Sequence, residues 1–142
     1  MGVSYNGQCN CGAVKAAIAS EPVAVRKCWC RQCQKAAAGG PTHNAMFATA
    51  DVSLSGDLQA WSYPAPSGNT LTMYHCAACS TPVCAQSSAR PQFMTFRLGF
   101  LDEGHGLAPT VEIWTEQMPP WARPDPELES WPRQPPPPPQ SS

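Results

Sequence analysis

The chain has 142 residues, a length suited to one domain, and a formal net charge of −1. Nine Lys plus Arg against ten Asp plus Glu, with no basic cluster, exclude a nucleic-acid binder and leave nothing to hold an anionic membrane surface. No segment approaches the ~18 uninterrupted apolar residues of a spanning helix, and 17 prolines restrict helix to short pieces.

The first residues, Met1 to Tyr5, have neither a basic region nor an apolar run, so no secretory signal is expected. Asn6 stands where N-myristoylation requires Ser or Thr. The expected compartment is the reducing cytoplasm, where structural disulfides are rare. Eight cysteines in that setting point to metal. A disulfide scaffold is the competing reading, but Cys9 and Cys11 cannot bridge each other without severe strain.

Residues 12–20 are small and apolar and read as a strand that ends near Glu21-Pro22. Residues 23–28 form a second strand candidate. Side chains alternate along a strand, so Cys9 and Cys11 are expected on one face, as are Cys28 and Cys30. Residues 31–38 are the one good helical stretch, stopped by Gly39-Gly40-Pro41. Cys33 then falls in its first turn, where backbone N–H groups lower a thiol's pKa. Residues 45–48, 51–54, 58–63, 70–75, 82–86, 92–98 and 111–115 read as further short strands, separated by Gly- and Pro-rich turns. The pattern predicts a mainly β, antiparallel domain with one short helix. Met118-Pro119-Pro120-Trp121 and Trp131-Pro132 are candidates to dock back onto it. Residues 1–132 are expected as the single domain, and 133–142 as a proline-rich disordered tail.

Seven of the eight cysteines fall in short-spaced clusters: Cys9/Cys11, Cys28/Cys30/Cys33 and Cys76/Cys79. A closed tetrahedral site takes four ligands, and an open one takes three plus a free position. Seven thiols match one of each. Cys84 reads as a buried free thiol. His43, close in sequence to the triad, is either a fourth ligand or proton shuttle, or a surface loop histidine. His105, between Gly104 and Gly106, reads as a loop residue.

Three stretches carry a resemblance: Gly7-Gln8-Cys9-Asn10-Cys11-Gly12-Ala13-Val14, then Cys28 to Lys35, then His75-Cys76 to Val83, with Gly56-Asp57-Leu58 and Trp114 to Trp121 as further matches. On these the sequence resembles the glutathione-dependent formaldehyde-activating enzymes, a family that includes centromere protein V. The resemblance implies a β-tent of small antiparallel sheets held by zinc, with two Zn2+ per chain. It implies a structural zinc on Cys9, Cys11, Cys76 and Cys79. It implies a catalytic zinc with an open position on Cys28, Cys30 and Cys33. The implied activity is that of a carbon–sulfur lyase or synthase, joining formaldehyde and glutathione to give S-hydroxymethylglutathione. The expected partner is a small thiol or its glutathione adduct. The competing reading is a non-catalytic, zinc-stabilised protein-interaction module of the same fold. The chain departs from the family at Trp29, Gln34, His75, Ser80 and in the stretch Thr110-Val111-Glu112, where family members usually carry His, Arg, Phe, Gly and a nearby His. Loss of the His and Arg is expected to alter the substrate pocket.

Overall fold

The structure, a computed structural model, describes residues 4–136. In chain order the strands are β1 (Tyr5–Gln8), β2 (Lys15–Ile18), β3 (Ala24–Cys28), β4 (Thr42–Ala48), β5 (Val52–Ser55), β6 (Leu58–Pro64), β7 (Thr70–Cys76), β8 (Pro82–Ser87), β9 (Phe93–Arg97), β10 (Val111–Ile113) and β11 (Glu129–Ser130). One α-helix, α1 (Arg31–Ala36), lies between β3 and β4. Among the described residues the strands form a three-stranded sheet, β1-β2-β5, and an eight-stranded sheet, β11-β10-β3-β4-β9-β8-β7-β6. The expected mainly β class with one short helix is what the chain adopts. No helix of the described residues is long and apolar enough to cross a membrane.

The two sheets meet across the main core. Cross-strand partners share a face, and the registers Val25↔Ala45, Ala45↔Phe96 and Cys84↔Phe96 line up one row over four strands. That face is buried with Phe47, Val14 and Ile18. Phe47 and Phe96 meet edge-on with ring centroids 6.2 Å apart, and burying each ring stabilises the fold by roughly 1.5–3 kcal/mol. The alternation places Thr42, Asn44 and Met46 of β4 on the opposite face. There Arg26 pairs with Asn44 and Asn44 with Arg97, another row over three strands. This second face becomes the floor of a cavity.

Gly7 is fixed by close approach: a Cβ there would lie 2.7 Å from the Phe100 carbonyl oxygen. Gly56 has φ +103°, and a Cβ would collide with the Ala13 backbone. It therefore lets the β5–β6 turn close against the loop that carries Cys11.

Several local expectations are corrected. The sheets are not wholly antiparallel, since β10 pairs in parallel with both β3 and β11. β1 was not anticipated; it is the polar hairpin partner of β2. Cys9 and Cys11 lie in the turn after β1, not on a strand. Cys28 ends β3, whereas Cys30 caps α1. The helix stops at Ala36, because Ala38 (φ 58°) and Gly39 (φ 109°) turn left-handed. β4 begins at Thr42, which takes His43 out of a loop and into a strand. The C-terminal docking is present: Trp131 N donates to Glu112 O at 2.9 Å. Trp121 packs edge-on against Trp29 at 6.3 Å. The expected disordered tail lies, from residue 137 onward, outside the described residues.

Candidate metal centres and cavity

Two thiol clusters assemble, and they are the two that the family resemblance implied. The first unites Cys9 and Cys11 with Cys76 and Cys79, all four sulfurs within 4.8 Å of one another. The Cys9 end is shaped by a turn in which Gly12 N donates to Cys9 O at 3.1 Å with Gly12 at φ 79°. Val14 N donates to the Cys9 sulfur at 3.2 Å. The other end is a knuckle in which Ala78 N and Cys79 N both donate to the Cys76 sulfur at 3.4 Å. Ser80 closes it at φ 66°, a conformation that glycine adopts more easily. Asn10 N donates to the Thr81 hydroxyl at 3.0 Å and ties the halves together.

These residues fit a tetrahedral metal. Zn–S bonds of 2.3 Å place sulfurs about 3.8 Å apart. The Cys9–Cys11 and Cys11–Cys76 separations are 3.6 and 3.8 Å. The backbone N–H groups aimed at sulfur favour thiolates. The Thr81 hydroxyl beside Cys79 draws that thiol down to about 5.

The second cluster is Cys28, Cys30 and Cys33, again within 4.8 Å of one another. The end of β3 delivers Cys28. Cys30 is the N-cap of α1, and its sulfur accepts from Cys33 N at 3.4 Å. Cys33 lies in the first helical turn, as its position predicted. Thiol donation from Cys28 and Cys30 draws Cys33 down to about 3. The same contacts, with burial, push Cys28 well above the ordinary thiol range. Cys30 rises to about 11, where donation from Cys28 opposes the stronger combined effect of Cys33 and burial. One thiolate held by two thiols is what three close sulfurs do without a cation; a divalent ion is what lets all three ionise.

The two clusters differ in access. The triad opens into a cavity of about 150 Å³ on the second face of the large sheet. Cys30, Tyr63 and Trp114 also border a groove of about 1040 Å³ that continues it outward. No cysteine of the four-thiol cluster lines either space. Tyr63 keeps its proton far above the ordinary phenol pKa, chiefly through burial and then through the nearby cysteines. Trp114 is held at φ 58°, a strained placement for a bulky residue at the cavity wall.

Trp29 and Gln34 do not line the cavity. Gln34 is buried and donates to the Trp29 carbonyl at 2.6 Å and to the Gln117 carbonyl at 2.8 Å. Trp29 Nε1 donates to Glu112 at 2.7 Å. Both are braces behind the triad, and neither borders the cavity. Glu112 was not singled out by sequence, where only a missing His was noted. His43 pairs across with Lys27, on the face turned away from Thr42 and the cavity. Burial, then Lys27, holds its pKa below the ordinary value. Cys84 is the buried free thiol expected, with burial pushing it up to about 12. His105 is in a loop, where its Nδ1 accepts from Leu107 N at 2.9 Å.

A family profile described as glutathione-dependent formaldehyde-activating enzyme matches residues 4–117, a span that contains both clusters. No curated protein matches the chain. Among solved structures the chain is similar to a crystal structure of a Rhodobacter sphaeroides protein. The two are 19% identical with a TM-score of 0.55, over 73% of this chain and 91% of that one. This likeness concerns the fold.

Proposed function

Because the chain belongs to the glutathione-dependent formaldehyde-activating enzyme family, we propose that it is a zinc-dependent carbon–sulfur lyase or synthase acting on a thiol–aldehyde adduct such as S-hydroxymethylglutathione. Cys9, Cys11, Cys76 and Cys79 hold a structural zinc. Cys28, Cys30 and Cys33 hold a second, catalytic zinc. The acting unit is one domain over residues 1–132, with 133–142 as a proline-rich tail. The observation that carries this reading is the difference in access: the three-thiol cluster faces a cavity and the four-thiol cluster does not.

A zinc ion at the triad, when bound, supplies a Lewis acid that lowers the pKa of a thiol at the free position. The chain does the rest. The Cys28/Cys30/Cys33 sulfurs face the reacting groups from one side. Tyr63, protonated at neutral pH, faces the cavity from β6 and donates a hydrogen bond to the adduct's oxygen. In the cleavage direction the adduct's hydroxyl gives its proton to solvent, its oxygen lone pair forms the C=O bond, and the C–S electron pair returns to sulfur, which leaves as a thiolate or takes a proton back from solvent. The synthetic direction reverses each transfer. Glu112, Trp29 and Gln34 hold the loop between Cys28 and Cys33 in place.

The test is metal content followed by turnover. Two zincs per chain are expected, falling to one in Cys30→Ser with the fold retained. S-hydroxymethylglutathione breakdown should exceed its spontaneous rate and return to it in that variant. A full metal complement in Cys30→Ser, or turnover indifferent to it, would overturn the reading.

A further inference from the structure

We propose that Arg26 and Arg97, the latter oriented by Asn44, form a carboxylate-binding subsite beside the triad, so that the part of the substrate entering the cavity carries a carboxylate. The inference rests on the triad being the reactive centre and names what that centre accepts.

The chain is nearly neutral overall, yet five of its six arginines border the cavity or its outer groove: Arg26, Arg31, Arg90, Arg97 and Arg133. Among the described residues no Asp or Glu borders either space. The fold creates this concentration. Arg26 of β3 and Arg97 of β9 flank Asn44 of β4 in one cross-strand row. Cys28 follows Arg26 by two residues on the same face, about 7 Å along the strand.

The row is built, not incidental. Arg97 is 8% exposed, and its Nη1 donates to Asn44 Oδ1 at 2.7 Å. Asn44 in turn donates to the Thr42 hydroxyl at 2.9 Å, which fixes the amide. Asn44 is thus held on one side and holds Arg97 on the other. The Nε atoms of Arg26 and Arg97, by contrast, are buried without a partner among the described residues. Buried guanidinium donors without acceptors are costly, and a carboxylate is the acceptor their planar fork suits best. Arg26 also feels Arg90 as a like charge. A triad of three thiolates around a divalent ion leaves about one negative charge, so the three cavity arginines Arg26, Arg90 and Arg97 exceed it by about two.

Size narrows the class. A cavity of about 150 Å³ has room for about five waters, enough for a small acid or one end of a larger ligand. Formaldehyde alone would leave the Nε donors of both guanidiniums without an acceptor. Two sources of the carboxylate are compatible: the thiol itself, or a carbonyl partner that is a small oxo acid.

The test uses the metal-loaded full chain. Mercaptoacetate and 2-mercaptoethanol present the same thiol, with and without the carboxylate. Calorimetric titration should find mercaptoacetate about 10- to 100-fold tighter, and Arg26→Met should remove that preference while leaving 2-mercaptoethanol unchanged. Equal affinities in the unaltered protein would overturn the proposal without any variant. A second readout is independent of metal and of turnover: added glycolate should shift the Arg26 and Arg97 Nε–H signals in a nitrogen–proton correlation spectrum, and ethylene glycol should not. Unmoved signals would again overturn it. Glutathione weakened by Arg26→Met assigns the carboxylate to the thiol. Glyoxylate weakened while glutathione is not assigns it to the carbonyl partner. Neither weakened rejects the subsite. Failure to turn over S-hydroxymethylglutathione rejects the proposed reaction only, since the thiol preference and the spectral shifts are read separately.

Discussion

The Trp29 indole donates to Glu112 Oε1 at 2.7 Å, with Glu112 wholly buried. The other carboxylate oxygen accepts from Asp125 N at 2.9 Å, and Lys27 Nζ lies 3.9 Å from Oε1. One side chain of β10 thereby secures both the residue between Cys28 and Cys30 and the start of the C-terminal segment. The parallel pairing of β10 with β3 places it there.

Removing that carboxylate should be expensive. Glu112→Ala leaves a buried indole N–H, a buried backbone N–H and Lys27 without their acceptor. The expected loss is about 3–5 kcal/mol. Glu112→Gln keeps the shape but turns an amide N–H toward a donor, and the expected loss is about 1–3 kcal/mol. Urea unfolding of the metal-loaded chain measures both. A Gln variant as unstable as the Ala variant would show that charge, not hydrogen-bond geometry, is what Trp29 requires.

Ser80 is a site where the protein can be improved. Its φ of 66° costs a non-glycine residue about 1–2 kcal/mol. Glycine avoids this but loses about 0.5–1 kcal/mol of chain entropy. Ser80 is exposed, and among the described residues its side chain makes no hydrogen bond that would be sacrificed. Ser80→Gly should therefore stabilise the fold by about 0.5–1 kcal/mol, seen as a higher urea midpoint with unchanged slope. A lower midpoint would mean that the knuckle is not strained.

Cys84 supplies a pH dependence of defined sign. Burial pushes its thiol from the ordinary 9.0 up to about 12. Below pH 9 the thiol is protonated in both folded and unfolded chains, and its contribution is fully present. Between 9 and about 12 the unfolded chain releases this proton while the folded one keeps it. The folded state then binds more protons, so stability falls as pH rises through that window. Cys84→Ala should lose less stability than the unaltered chain between about pH 8 and 10.5, compared by urea midpoints. Identical losses would show that other groups account for the alkaline decline.

What could be read beforehand was what is local in the chain. C-x-C and C-x-x-C spacings bring neighbouring thiols together through a turn or a helix cap; the triad formed from them alone, whereas the four-thiol cluster also needed two pairs 65 residues apart to meet. Alternating segments such as Thr70–Cys76 became strands for the same reason. What escaped depends on pairing between distant strands. Arg26 and Arg97 meet only through Asn44, and no short-range pattern announces a row across β3, β4 and β9. Glu112 reaches Trp29 only because β10 runs parallel to β3. Trp29 and Gln34, judged by residue type, suggested an altered pocket; their side chains instead point into the supporting structure. Cys9 and Cys11 came together through a turn rather than through strand alternation, so the right ligands were reached by the wrong geometry.

Tyr63 separates a lining role from a chemical one. Its phenol lies in the cavity wall and stays protonated at any ordinary pH, because burial and the nearby cysteines disfavour the phenolate. In the proposed reaction, charge develops on the adduct's oxygen, and a positioned donor there acts mainly on the transition state. Tyr63→Phe removes the hydroxyl while keeping the ring that stacks on Trp61 at 4.9 Å. The expected result is a fall in kcat of about 10- to 100-fold with KM nearly unchanged. A fall confined to KM would assign Tyr63 to substrate binding. An unchanged kcat would remove it from the chemistry.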